Sequence, residues 1–316
     1  MAIVRCAKCG KVISVGGGFI NGKPYHKECM VCAYCGGKIT GTAAIYKGAL
    51  YHTECNPALG KLICAYCRKP IIVGSYTNSN GKHYHNACYR NHVQKVCSVC
   101  GQPISGTYTY DDWGNYAHTM HDGEKTKYCY SCGRIVVGSG KSIATTAILC
   151  SVCAPTSVIT DLQVEACRAK VLDVFKAVGI TGIPDRIPVM LKSKDLMGNA
   201  LGRIHSSYGR LRMYAEFNIE MTYGLPDIHF QGVLAHEMLH SWLILYGREV
   251  TDDEKEGFCN LGSAAVYQKT DSPHAKLLLK RLYKNEDTIY GDGYRLQKER
   301  YERLGWNGLL DSLKRI

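Results

Sequence analysis

The chain has 316 residues, enough for two or three domains and at least one core of ordinary size. With 21% charged and 46% hydrophobic residues it is not a disordered chain, and 33 Gly beside 9 Pro without a triplet period exclude a collagen. The formal charge of +12 is almost all N-terminal: residues 1–155 hold 17 Lys+Arg against 6 Asp+Glu, and residues 156–316 hold 22 against 21.

From the N-terminus a unit of about 25 residues occurs five times. Its members are Cys6, Cys9, His26 and Cys29; Cys32, Cys35, His52 and Cys55; Cys64, Cys67, His85 and Cys88; Cys97, Cys100, His118 and His121; and Cys129, Cys132, Cys150 and Cys153. Each unit joins two ligand pairs of x2 spacing across sixteen or seventeen residues. That arrangement suits a tetrahedral zinc site between a tight knuckle and a β excursion. The units take 15 of the 17 cysteines and leave Cys167 and Cys259, both read as buried core thiols. An odd count in paired spacing favours metal over a disulfide framework. With no ligand position left for a substrate, the five zincs should be structural. Zinc-bound thiolates offset part of the positive charge, which disfavours a nucleic-acid footprint. His83 and His92 fall outside the register and read as surface residues.

Units one and two, only two residues apart, resemble a LIM domain, a paired zinc module used mainly to bind proteins. The expected organisation is a LIM domain at 1–60, a LIM-like pair at 61–123 and a single ribbon-like unit at 124–155. No apolar run reaches the roughly 20 residues of a membrane span, and Cys6 comes before a signal-peptide core could fit, so a soluble cytoplasmic protein without membrane contacts is expected.

Past Ala154-Pro155-Thr156 the pattern turns helical, and residues 156–316 read as a helix-rich α+β domain. A helix is predicted over 157–178 with Gly179 as its C-cap, then a short strand at 187–191 and a strand at 211–222 ended by Tyr223-Gly-Leu-Pro226. Helices follow near 227–246, 252–268, 273–285 and 292–315, the last broken at Gly305. The 213–222 strand is the expected edge for pairing with an extended peptide.

The sharpest signal lies in the first of those later helices, at His236-Glu237-Met238-Leu239-His240. Residues four apart share a helix face, so both imidazoles can reach one ion while Glu237 reaches a water on it. The surrounding Val233, Leu234, Leu239, Trp242, Leu243 and Leu245 make the helix apolar nearly all round, as suits a buried site. No third His follows at the metzincin distance. A gluzincin arrangement takes a Glu from the next helix, where Glu254 and Glu256 are the candidates. Glu256 is preferred because Asn260 lies one turn on, placed to hydrogen-bond a ligand. Zinc held by His236, His240 and Glu256 would serve a peptidase with Glu237 as proton acceptor. His229, Tyr290 and Tyr294 are candidate donors to the scissile carbonyl.

The runs Tyr223-Gly-Leu-Pro226, Leu234-Ala-His-Glu-Met-Leu-His-Ser-Trp242, Glu256-Gly-Phe-Cys-Asn260 and Tyr290-Gly-Asp-Gly-Tyr-Arg295, with the zinc units upstream, resemble the LIM-domain, ubiquitin-activated peptidases that control plant organ size, and their shorter bacterial relatives. The resemblance implies a gluzincin-type zinc metallopeptidase behind an array of β-rich zinc knuckles, with one catalytic and five structural zincs, protein substrates, LIM-bound protein partners and ubiquitin as a partner. Where that family has two adjacent Glu before the Gly, this chain has Lys255-Glu256, which favours Glu256. The acidic ubiquitin-interacting helices of many plant members have no counterpart in this sequence. The competing readings are a non-enzymatic LIM scaffold and, behind it, a zinc-finger nucleic-acid binder.

Overall fold

The computed structural model describes residues 3–56, 62–71, 75–184, 186–208 and 215–315, in two compact units that divide between Lys95 and Val96. Both begin as zinc knuckles followed by short antiparallel hairpins. In the first unit these are β1 (Gly17–Ile20) with β2 (Lys23–His26), β3 (Ala44–Tyr46) with β4 (Ala49–Tyr51), β5 (Leu62–Ile63) with β6 (Pro70–Ile71), and β7 (Tyr76–Ser79) with β8 (Lys82–His85), followed by helix α1 (Asn86–His92). Asn21-Gly22, Lys47-Gly48 and Asn80-Gly81 close three of the hairpins with positive φ at both turn residues, the twist-matched two-residue turn. The first two zinc units share one small core, in which Ile20, Ile39 and Leu50 are almost fully buried beside Tyr25. Tyr84 takes the equivalent place in the third unit. His92 is exposed and stacks on Tyr66, whereas His83 is half-buried against Tyr76.

The residue after each second cysteine must turn left-handed so that its N–H can reach the carbonyl of the first cysteine, 2.8–2.9 Å away in all five knuckles. Four of these residues are glycine; in the third knuckle it is Arg68, at φ 61°. A side chain there costs about 1–2 kcal/mol, partly offset because glycine loses roughly 0.5–1 kcal/mol more entropy on folding. Arg68→Gly should therefore stabilise the third knuckle by up to about 1 kcal/mol. Hydrogen exchange of the amides from 64 to 71 in zinc-loaded protein should slow; faster exchange would contradict this.

The second unit opens with β9 (Tyr108–Tyr110) and β10 (Tyr116–His118), then β11 (Met120–His121) with β12 (Glu124–Lys125), and β13 (Lys141–Ala144) with β14 (Ala147–Leu149). Asp111 binds its fourth and fifth zinc units together by accepting from the backbone N–H groups of Trp113, Asn115 and Ile135. Burial pushes its carboxyl up, but these hydrogen bonds and that from the Asn115 side chain outweigh burial and hold it below the usual range. Trp113 Nε1 donates to Cys132 O at 3.0 Å, and the Arg134 guanidinium lies over the same indole.

The helical part contains α2 (Asp161–Val178), β15 (Val189–Lys192), α3 (Lys194–Met197), β16 (Gly202–Tyr208), β17 (Ala215–Thr222), α4 (Asp227–Tyr246), α5 (Asp252–Lys269), α6 (Pro273–Lys284), a single π-turn at Thr288–Asp292 and α7 (Gly293–Leu313). Helix α2 starts four residues later than predicted. Thr160 and Gln163 cap it reciprocally, while Val158 is held extended by its N–H bond to Leu225 O. Gly179 closes it at φ 85°, and α7 is broken at Gly305 as the sequence suggests. Residues 211–214 of the predicted strand lie outside the described residues. The core between α2, α4, α5, α7 and the sheet is built on Phe175, Met221, Phe230, Leu239, Phe258 and Leu309. No helix among the described residues is long and apolar enough to cross a membrane.

One expectation is corrected here. The three-stranded sheet has the order β15-β17-β16, so the 215–222 strand is central and both its edges are occupied. The partner that covers it, β16, pairs antiparallel from Gly202 opposite Met221 to Tyr208 opposite Ala215. The edge next to α4 is therefore β16, which the sequence reading did not predict.

Candidate metal centres

The five Cys/His groups are each brought together with all ligand atoms within 4.8 Å of one another. Cys9, Cys35 and Cys67 Sγ lie 3.4 Å from the Nδ1 of His26, His52 and His85, and Cys100 Sγ lies 3.5 Å from His118 Nδ1. Cys97 Sγ is 3.4 Å from His121 Nε2, and Cys132 and Cys150 Sγ are 3.7 Å apart. Bond lengths of ~2.3 Å to sulfur and ~2.0 Å to nitrogen give tetrahedral edges of roughly 3.5–3.8 Å, so both the donor set and the spacing suit zinc. In three units the far ring nitrogen is spent on a backbone carbonyl: His26 Nε2 on Val12, His52 Nε2 on Lys38 and His85 Nε2 on Pro70, at 3.0–3.2 Å. That contact fixes the tautomer and makes Nδ1 the nitrogen that faces the cysteines.

A sixth cluster sits on α4 and α5. His236 and His240, one turn apart on α4, bring their Nε2 atoms to 3.1 Å, and Glu256 Oε2 from α5 lies 3.1 Å from the first and 3.5 Å from the second. Three donors at the corners of so small a triangle, with one side facing a cleft, match the open tetrahedral site expected of a His2Glu zinc centre. His236 Nδ1 donates to Asn260 Oδ1 at 3.0 Å, and Asn260 Nδ2 donates in turn to Tyr290 O at 3.1 Å. Asn260 thus holds the His236 ring with Nε2 directed at Glu256. Glu254 points elsewhere, accepting from Arg300 at 2.7 Å and Arg248 at 3.3 Å. Glu256→Ala should consequently cost the zinc-loaded chain about one zinc equivalent, and Glu254→Ala none. Elemental analysis with the reverse result would move the ligand to Glu254.

Glycines explain how Glu256 comes within reach. A Cβ on Gly262 of α5 would lie 2.7 Å from the Leu239 side chain and 3.1 Å from Ala235 O, so α4 and α5 cross at a separation that only glycine permits there. At the other end of the site, a Cβ on Gly257 would fall 2.1 Å from Gly293 O, which fixes α5 against the start of α7.

The cleft in front of the triangle has a volume of about 560 Å³ and is lined by His236, Glu237, His240, Glu256, Tyr290 and the first residues of β16, Gly202 to Ile204. Glu237 is 7% exposed and lies directly beneath Gly202, whose missing Cβ would meet its carboxylate. A second hollow of about 800 Å³ opens from the same four residues, Gly202, His236, Glu237 and Tyr290. Of the three candidate donors, only Tyr290 reaches the cleft. Burial raises its phenol pKa, with the nearby Glu256 and Glu237 adding to the rise, so it stays protonated at neutral pH. His229 is buried in the wall of the second hollow, 2.7 Å from Ser131 Oγ; burial first, then the charges of His274 and Arg281, push it down to about 3. Tyr294 lies in the core, 1% exposed, away from both hollows. Cys167 and Cys259 are buried thiols whose pKa values burial raises.

The sequence reading missed β16 and the contribution of Gly202. The only local signal was a short run, Gly202-Arg-Ile-His-Ser-Ser-Tyr208, too polar to stand out as a strand.

Among known families, residues 6–56 match the LIM domain, and residues 177–268, which include the α4–α5 cluster, match the DA1-like family described as Protein DA1. The chain thus combines a LIM match with a DA1-like match. It is 22% identical over 247 residues to Protein DA1 of Arabidopsis thaliana, covering 63% of this chain and 46% of that one. To the LIM domain-containing protein HDR3 of Oryza sativa subsp. japonica it is 23% identical over 249 residues, covering 63% and 50%. A further likeness, 27% over 134 residues, is to Four and a half LIM domains protein 1 of Mus musculus, covering 42% of this chain and 35% of that one. The chain spans about half the length of the DA1-type relatives it matches.

Proposed function

We propose that this chain is a zinc-dependent metallopeptidase that hydrolyses peptide bonds in protein substrates, with its zinc units serving protein recruitment or regulation. Five structural zincs belong to the Cys/His groups, and one catalytic zinc belongs to His236, His240 and Glu256. The observation that carries this reading is the triangle of ligand atoms from those three residues, open on one side to a cleft that Glu237 also lines.

When bound there, zinc supplies a Lewis acid that lowers the pKa of a water toward roughly 7 and polarises a carbonyl. Glu237, offset by one residue from the ligand face of α4, accepts the proton of the attacking water and delivers it to the leaving amine. Its shielding beneath Gly202 keeps competing solvent away from that transfer. Strand β16 offers its outer edge to an extended substrate at Gly202, Arg203 and Ile204, so the peptide backbone can add as a further strand across the cleft. The protonated Tyr290 phenol at the cleft wall is placed to donate to the scissile carbonyl oxygen.

Protein partners for residues 6–153 follow from the likeness to LIM proteins, and ubiquitin is carried only by the family resemblance. A cytoplasmic site of action is proposed on the same footing. The test is hydrolysis of an unfolded protein by the zinc-replete full chain, with Glu237→Gln as the comparator. A zinc-loaded wild type that cleaves nothing would leave the scaffold reading in its place.

A further inference from the structure

The 800 Å³ hollow beside the candidate active site is walled on one side by the fifth zinc unit. Tyr130 and Ser131, the two residues inside the Cys129–Cys132 knuckle, face it together with Leu201, Val233, Leu278 and Leu282. The knuckle is anchored to the helices from both ends. Ser131 Oγ lies 2.7 Å from His229 Nδ1 on α4 and 3.3 Å from His274 Nε2 on α6. Arg281 of α6 donates from Nη1 to Ser131 O and from Nη2 to Cys132 O, at 2.9 and 3.0 Å. Both guanidinium contacts require the knuckle carbonyls to stay where the tetrahedral site holds them. The approach is close at Gly133, where a Cβ would lie 2.4 Å from Arg281 Nη2 and would displace that guanidinium.

This wall differs in kind from the surface of a recruiting module. It is fixed to the helices, and it borders the same His236 and Glu237 that line the cleft. Resting on the peptidase reading above, we infer that the fifth zinc unit is part of the substrate site: Tyr130 forms the wall of a pocket that takes a large apolar or aromatic side chain next to the scissile bond. The apolar stretch of the lining, Tyr130 with Leu201, Val233, Leu278 and Leu282, selects that class, while Asn199, Asn260, Ser263 and Asn285 line the remainder. Apart from Glu237, no acidic side chain among the described residues lines the pocket to receive a cationic residue, and Lys194 and Arg281 repel one. Its aliphatic and aromatic faces reward the burial of a ring or a branched chain. The Tyr130 phenol oxygen is buried with no hydrogen-bond partner among the described residues, so Tyr130→Phe removes the hydroxyl without breaking a hydrogen bond seen there.

The experiment uses binding, which does not depend on turnover. Full-length Glu237→Gln protein, zinc-loaded, is titrated by fluorescence anisotropy with labelled ten-residue peptides that differ at one central position: Gly, Lys, Leu or Phe. Phe and Leu should bind on the order of tenfold or more tightly than Gly, and Lys no better than Gly. Adding Tyr130→Ala should collapse the Phe-to-Gly ratio to below about threefold, whereas Tyr130→Phe should preserve it. Zinc content and circular dichroism verify that each variant is folded, and Tyr130→Leu replaces the Ala variant if that one is not. An unchanged Phe-to-Gly ratio in folded Tyr130→Ala, or no discrimination in the parent, overturns the pocket assignment. If discrimination behaves as stated but wild-type protein cleaves none of the peptides, the pocket stands and the peptidase reading falls.

Discussion

Glu237→Gln should lower the hydrolysis of a protein substrate by about 10²- to 10⁴-fold while zinc content and fold are retained, because general acid–base catalysis contributes on that order. The substitution keeps the size and shape of a side chain that is 7% exposed between α4 and the start of β16, and it touches none of the three atoms that form the triangle. Only the capacity to accept a proton is lost. The readout is kcat/KM on one substrate for both proteins, with metal measured in each. A loss confined to kcat would fit a group that acts in the transition state, whereas a rise in KM alone would indicate a binding role. Equal cleavage by both proteins would place the active site elsewhere.

The second large effect concerns Cys32→Ser. Metal binding supplies most of the folding free energy of so small a unit, on the order of 10–16 kcal/mol in isolated zinc fingers at neutral pH. Replacing one of four ligands should unfold the second zinc unit. Because its Ile39 and Leu50 share a core with Ile20 and Tyr25 of the first, that unit should loosen with it. Zinc content should therefore fall by one or two equivalents, with new exchange of backbone amides between residues 6 and 55. The unit beginning at Val96 has its own core and should keep its protection. Loss of zinc from every site together would contradict that independence.

The parts of this architecture that were legible in the sequence are those specified locally. Ligand spacing placed the five groups in register, and helices α4 to α6 fall within about a residue of their predicted spans because each is bounded by turn or capping residues such as Pro226, Thr251 and Ser272. The preference for Glu256 over Glu254 rested on helix register with Asn260, and the structure puts Asn260 Oδ1 on the His236 ring. What could not be read depends on chain segments far apart in sequence. Strand β16 is set by its pairing with β17, and its arrival displaces β17 from the edge. The fifth zinc unit meets α4 and α6 about a hundred residues or more further on, through Ser131, His229, His274 and Arg281, and nothing in a ligand-spacing pattern anticipates that contact. Nothing in the local sequence marks the glycines at 257 and 262, whose missing side chains let Gly293 O approach the first and Leu239 with Ala235 O approach the second.

Hydrolysis itself can be observed without a variant. Zinc-replete full-length protein is incubated with an unfolded protein in water enriched in oxygen-18, and the new peptide ends are read by mass spectrometry. A metallopeptidase adds one solvent oxygen to each new carboxyl terminus, so the expected result is a set of fragments whose new C-termini are heavier by one oxygen-18 atom and which do not form when His240→Ala protein is used. If the wild type carries its sixth zinc and yields no labelled termini, the cluster of His236, His240 and Glu256 is not a peptidase site and the chain acts as a zinc scaffold.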